Sequence, residues 1–155
     1  MESSITKIHR NIKEKRVSRL YAVQALFQME AGKSTLQKVS VEFENYRDTE
    51  NQNKNFYSKA DLNYFKKIIV TTVKNQELID INIKNSIKDD WTIDRIDPTL
   101  RAIFRAAAAE FLIKTPPKVV ISEFLEITKS FFPNGKECKL ANGVLDKLAT
   151  QILST

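Results

Sequence analysis

The sequence has little glycine, proline or cysteine, and each shortage restricts the class of protein that it can form. Its 155 residues include only 3 Gly and 4 Pro, which favours helices over a turn-rich or strand-rich fold. The single cysteine, Cys138, excludes an intrachain disulfide and is typical of a reducing compartment. No apolar run reaches the roughly 18–20 residues that span a membrane, and residues 1–20 contain no secretory signal. We therefore predict a soluble cytoplasmic protein.

The residue sets that catalysis or metal binding requires are also missing. The one histidine, His9, lies far in sequence from Cys138, which argues against a histidine-dependent nucleophilic site. No cluster of Cys and His offers zinc ligands, and no glycine-rich phosphate loop is present. The acidic pair Asp89-Asp90 is interpreted as solvated carboxylates. We expect no catalytic residue, no metal site and no cofactor, and thus a protein that is not an enzyme.

Positive charge, in contrast, is concentrated at the N-terminus. The formal net charge is +6, and most of this excess comes from residues 1–19, which hold six basic and two acidic side chains. A basic arm, residues 1–14, that leads into a helix is a typical electrostatic footprint for phosphate groups. A solvated tail without a partner is the alternative interpretation.

Apolar residues recur at helical spacing along the N-terminal half of the chain. The pattern predicts a helix over residues 11–31 that ends at Gly32 and a shorter helix over 36–46. The polar stretch 47–55 predicts an exposed loop. A long helical stretch over 58–87 follows, with a kink expected near Lys74 and Asn75.

Start and stop signals are clearer in the C-terminal half. Asp97-Pro98 is a strong helix start, with Asp as N-cap and Pro at the first position, and the helix that follows carries apolar residues from 100 to 112. The sequence Thr115-Pro116-Pro117 ends this helix and begins another. A turn at Pro133-Asn134-Gly135 precedes a last helix with apolar residues from 140 to 152.

These elements predict an all-α fold of six or seven helices in two packed helical subdomains. The whole chain, residues 1–155, is expected to form one domain, with an N-terminal half at 15–88 and a C-terminal half at 91–153. The apolar residues Trp91, Ile93 and Ile96 lie in the connection between the halves and are expected to pack on the core.

Two stretches resemble a known family when they are taken together. The first is KRVSRLYAVQALFQME, Lys15–Glu30, and the second runs from DRIDPTLRAIFRAAAAEFL through PPKVVISEFLEITKSF to KLANGVLDKLA, which ends at Ala149. Their order and spacing resemble the NusB family of transcription antitermination factors. In that family a basic segment precedes an A-V-Q-A-L helix, and an F-V-N-G-V-L-D segment lies near the C-terminus.

The resemblance implies a non-catalytic, all-α protein with two small helical subdomains. It also implies binding of boxA-type RNA together with the ribosomal protein NusE, in a complex that joins RNA polymerase during antitermination, notably on ribosomal RNA operons. One alternative is the RNA-docking domain of an RNA cytosine methyltransferase, and the length of the genomic reading frame would discriminate. Another is a helical interaction protein that binds no RNA. The oligomeric state, a homodimer included, is left open.

Residues for RNA binding can be carried over from the family to the first helix. The resemblance implies that Lys15, Arg16 and Arg19 contact RNA. We expect these side chains to lie at the N-terminal end of the predicted helix and to face away from an apolar stripe through Leu20 and Phe27. Cations at that end oppose the helix dipole by about 0.3–1 kcal/mol each, which favours a binding role.

The last helix matches the family segment K-F-V-N-G, which lies near the RNA face in that family. The matching residues are Lys139, Asn142 and Gly143, whereas Leu140 replaces the aromatic residue and would remove a stacking contact. Lys136 and Lys139 are expected to compensate electrostatically. Gly143 is interpreted as a position of close backbone packing.

Further polar residues match the family or lie near its expected partner surface. Arg105, Glu110 and Glu123 fall on family positions and are interpreted as polar contacts between helices. The acidic and apolar surface from Trp91 to Arg101, with Asp97 and Arg101 as its named residues, is a weaker candidate for binding the ribosomal-protein partner.

Overall fold

A computed structural model describes residues 2–47, 59–88 and 91–154. These residues form seven α-helices and one π-helical turn, and no strand occurs among them. The elements are α1 (Ser4–Gly32), α2 (Leu36–Glu42), the π-helical turn (Phe43–Arg47), α3 (Leu62–Lys74), α4 (Gln76–Ser86), α5 (Pro98–Leu112), α6 (Pro117–Phe131) and α7 (Lys136–Leu153). The all-α prediction is confirmed. Most of the predicted loop, from residue 48 to 55, and the pair Asp89-Asp90 lie outside the described residues.

Helix α1 begins seven residues earlier than the predicted start at residue 11. Ser3 is its N-cap, because the Ser3 hydroxyl accepts a hydrogen bond from the Thr6 backbone N–H at 3.1 Å. The prediction relied on a buried apolar stripe, whereas the first turns of α1 expose their isoleucines, among them Ile5 and Ile8. Most of the basic arm is therefore helical.

The other sequence signals for helix ends agree with the structure. Asn75 interrupts the helical stretch between α3 and α4, where the kink was expected. Asp97 caps α5 with Pro98 at its first position, and α6 begins at Pro117. Gly135 takes a φ of +88° immediately before α7, a left-handed conformation that glycine adopts without strain. Among the described helices, none combines the length and apolarity that a membrane crossing needs.

The chain divides into two compact units, Met1–Ile69 and Val70–Thr155. The division lies within α3, whereas the sequence analysis placed it at residues 89–90. Helix α4 belongs with the second unit because it packs against α5 and α7. In the first unit three aromatic rings form the centre of the core: Phe65 lies 5.4 Å from Phe43 and 6.3 Å from Tyr21, measured between ring centroids.

In the second unit α5 is the central helix. It packs against α4, α6 and α7, and the alanines from Ala106 to Ala109 are fully buried. Small side chains let neighbouring helices approach closely. One charged contact fixes the register with α4: the Arg105 guanidinium donates to both carboxylate oxygens of Asp80, at 2.9 and 3.1 Å. The predicted role of Arg105 as a contact between helices is confirmed.

The expectation that Trp91 packs on the core was wrong. Its side chain is 40% exposed, whereas Ile96 in the same connection is only 2% exposed. Of the residues in this connection, Ile96 therefore packs on the core as predicted, whereas Trp91 does not.

Candidate nucleic-acid interface

The basic residues of α1 differ sharply in exposure. Lys15 and Arg16 are exposed to solvent, whereas Arg19 is only 3% exposed. The Arg19 guanidinium carbon lies 5.6 Å from the centroid of the Tyr64 ring, and the Lys15 ammonium nitrogen lies 5.0 Å from the same centroid. The expectation that Arg19 faces outward was therefore wrong, because its cation packs against an aromatic ring of α3.

A buried hydroxyl places Tyr64 beside these two cations. Ser18 is fully buried, and its Oγ accepts a hydrogen bond from the Asp61 N–H at 2.8 Å. The same oxygen lies 2.8 Å from the carbonyl oxygens of both Asp61 and Glu14, to which its hydroxyl can donate. The Asp61 carboxylate accepts a hydrogen bond from the Tyr64 N–H at 3.1 Å. This chain of contacts ties the start of α3 to the middle of α1.

Lys15 and Arg16 do not lie at the start of their helix, where the sequence analysis expected the helix dipole to act on them. Because α1 begins at Ser4, both residues lie about three turns inside the helix. The unfavourable effect of the helix dipole on a cation is confined to the first turn. The dipole argument for these residues was therefore wrong, and their exposure remains as the feature that fits a binding role.

The helix dipole does act on a cation at the start of α7. Lys136 is the first residue of this helix and is exposed, and no side-chain hydrogen bond caps the helix at Gly135. Lys139 and Asn142 are exposed on the next turn. The candidate cations of α7 are thus at the surface, as the sequence predicts.

A groove of about 300 Å³ joins part of α7 to the end of α4 and the connection after it. The groove is lined by Ser86, Lys88, Trp91, Lys139, Leu140, Gly143, Val144 and Lys147. Three of these residues are lysines, and none of them is acidic. The sequence analysis identified Lys139 but missed Lys88, Trp91 and Lys147. The spacing of Lys139, Gly143 and Lys147 by four residues was the signal for a shared helix face.

Gly143 does not have the packing role that was predicted for it. It is exposed, and a Cβ atom added to its backbone would meet no neighbouring atom within 4 Å. Because Gly143 has no side chain, there is open space in the groove at this position, and the backbone of α7 itself lines the groove.

The two residues predicted to bind a protein partner make contacts within the chain. The Asp97 carboxylate accepts a hydrogen bond from the Thr99 N–H at 2.7 Å and so caps α5. Arg101 Nη1 donates to the carbonyl oxygens of Ile93 and Ile96, at 3.0 and 2.8 Å. Both side chains thus have a structural role, and the partner contact stays a prediction. Throughout the described ranges no group of three metal-ligating side chains occurs.

We predict that Ser18→Ala destabilises the protein by about 1 kcal/mol, because the Asp61 N–H loses its 2.8 Å bond to the hydroxyl and keeps only a 3.4 Å contact with the Glu14 carbonyl oxygen. Urea unfolding of the variant measures the change in the free energy of unfolding. The matched control is Ser122→Ala, at an exposed position of α6, where a change within about 0.5 kcal/mol is expected. Equal stability of the two variants would contradict the assigned role of the Ser18 hydroxyl.

We predict that Gly143→Ala, in contrast to Ser18→Ala, stabilises the protein. An alanine in an exposed helix interior is favoured over glycine by about 0.5–1 kcal/mol, and the added methyl group meets open space. The free energy of unfolding should therefore rise by this amount in thermal or urea unfolding. A loss of stability would show that the backbone at Gly143 is packed after all.

Comparison with known proteins agrees with the resemblance noted in the sequence. The model of the NusB family matches residues 16–150. A protein of Sinorhizobium fredii named Transcription antitermination protein NusB is 41% identical over 137 residues, which are 87% of this chain and 85% of that protein. The protein of the same name from Rhizobium meliloti is 36% identical over 145 residues, covering 92% of this chain and 90% of that one.

Solved structures of the family have the same fold. T. maritima NusB has a TM-score of 0.68 at 27% identity, covering 88% of this chain and 90% of that one. NusB from Aquifex aeolicus has a TM-score of 0.71 at 22% identity, covering 92% and 91%, and this similarity concerns the fold alone. The relatives are named as transcription antitermination proteins, not as enzymes. This chain therefore belongs to the NusB family of transcription antitermination proteins.

Proposed function

We propose that this protein binds single-stranded RNA of the boxA type together with the ribosomal protein NusE. The complex would join RNA polymerase in the cytoplasm and support antitermination, notably on ribosomal RNA operons. The observation that supports this most is the display of exposed cations on two helices, Lys15 and Arg16 on α1 and Lys136 and Lys139 on α7.

The cations of α1 suit contacts with phosphate. Lys15 and Arg16 lie on a helix that is anchored through Ser18, so that their stems start from a fixed backbone. An arginine presents a planar fork of donors that matches phosphate oxygens, and a lysine supplies a compact positive charge. Arg19 takes a different role in this proposal: buried against Tyr64, it supports this surface rather than binding RNA directly.

The cations of α7 support the same function independently. Lys136 is at the helix start, where no side chain caps the first N–H groups and its charge adds to the positive end of the helix dipole, with Glu137 as the acidic residue of the same turn. Lys139 lies in a groove that also contains an aromatic ring, and such a combination is typical of surfaces that hold single-stranded nucleic acid. Asn142 is exposed beside Lys139 and can hydrogen-bond to a base or a sugar.

The salt dependence of RNA binding tests this proposal. For single strands the slope of log K against log salt is about −0.7 per neutralised phosphate, so the double variant Lys15→Gln, Arg16→Gln should flatten the slope by about 1.4. Fluorescence anisotropy of a labelled boxA-type RNA, titrated at several salt concentrations, measures this slope.

The matched control is Lys38→Gln, an exposed lysine on α2, which should leave the slope unchanged. A double variant with the slope of the unmodified protein would contradict the assignment of Lys15 and Arg16. Tight binding of the unmodified protein with no salt dependence would contradict the whole electrostatic proposal.

The NusE part of the proposal has its own test. The same titration in the presence of NusE should give a higher RNA affinity than either protein alone, because RNA that contacts both proteins holds them together, and by linkage NusE then raises the RNA affinity by the same factor as RNA raises the NusE affinity. An RNA affinity that NusE leaves unchanged would remove the ribosomal protein from the proposal while keeping RNA binding.

A further inference from the structure

Trp91 is the one tryptophan of the chain, and its large apolar ring lies at the protein surface. Single exposed apolar side chains are common on protein surfaces, so exposure alone carries no meaning. Trp91, however, is 40% exposed at a groove that it shares with Lys88, Lys139 and Lys147. The groove therefore combines a flat apolar ring with three positive charges.

The backbone holds Trp91 in this place without burying its ring. The Trp91 N–H donates to the Lys88 carbonyl oxygen at 2.9 Å, and the Ile96 N–H donates to the Thr92 carbonyl oxygen at 3.2 Å. Arg101 braces the same turn by donating to the Ile96 carbonyl oxygen at 2.8 Å. Because these hydrogen bonds hold residues 92–96, a ligand that covers the indole would lose little backbone entropy in that part of the chain on binding.

Helix α7 supplies the other groups that such a ligand would meet. Leu140 and Val144 add apolar surface to the groove, and Lys139 and Lys147 add positive charge. Gly143 lies between these two lysines on the same helix face, and its missing side chain leaves open space of the kind that a close-approaching ligand needs.

The chemistry of this groove matches one nucleotide of an unpaired RNA strand. A base has a flat apolar face that stacks on an indole ring, and its phosphate is an anion that ammonium groups attract. Among the lining residues that the structure describes, none carries a carboxylate. A duplex fits poorly because its bases are already stacked on each other.

We propose that Trp91 is the residue on which an unpaired RNA base stacks, with the phosphates of that strand held by Lys88, Lys139 and Lys147. This inference rests on the proposed RNA-binding function and assigns to RNA a residue that the sequence placed on the candidate surface for the ribosomal protein. It also supplies an aromatic platform in the groove where Leu140 provides none.

The lone tryptophan makes the proposal directly measurable. Titration of the protein with a short boxA-type single-stranded RNA should quench the tryptophan emission to saturation, in step with the anisotropy of the labelled RNA. The same RNA annealed to its complement should cause little quenching. Saturable anisotropy with unchanged emission would overturn the stacking proposal while leaving RNA binding intact, and the lack of any anisotropy change would overturn both.

Affinities of variants give a second, independent result. Trp91→Ala should weaken binding of the single strand by about 5- to 150-fold, because that is the range of one lost base stack. Trp91→Phe keeps a ring and should recover most of the affinity. Leu153→Ala is the matched control, since Leu153 is 42% exposed in the same unit and does not line the groove. Equal affinities for Trp91→Ala and Leu153→Ala would overturn the proposal.

Discussion

The contact between the Ser18 hydroxyl and the backbone before α3 determines where the basic residues of α1 lie. A fully buried polar group must find its partners inside the protein, and Ser18 finds them at Asp61 and Glu14. Once that face of α1 is fixed, the helical repeat leaves Lys15 and Arg16 at the surface and turns Arg19 toward Tyr64. The charge pattern of α1 thus follows from the burial of the helix face that carries Ser18, Ala22 and Leu26.

In helix α7 it is the burial of apolar residues that determines which face is exposed. Ala141, Leu145 and Leu148 are buried in the core of the second unit, and this fixes the rotation of the helix about its axis. Lys139 and Lys147 then have to face outward, where their charges cost the core nothing. In each unit, burial of one helix face is what makes a set of cations available to an anionic partner. No catalytic arrangement is needed for that role.

The sequence predicted those features that depend on neighbouring residues and missed those that depend on distant ones. The helix starts at Asp97-Pro98 and Pro117 are local signals, and both were predicted correctly. The burial of Arg19 depends on Tyr64, which comes from a different helix, so its charge suggested exposure instead. Likewise, the groove brings Trp91 to α7 only through the tertiary fold, and neither Trp91 nor Lys88 could be connected with Lys139 from spacing.

The central claim is that exposed cations on α1 and α7 hold single-stranded RNA. The most direct measurement is a titration of the isotope-labelled protein with boxA-type RNA, followed by NMR of the backbone amides and of the Trp91 indole N–H. We expect saturable shifts at Lys15, at Lys139 and at the indole, and none at the exposed Lys38 and Lys118. Saturable binding with shifts confined to surfaces away from α1 and α7 would contradict it.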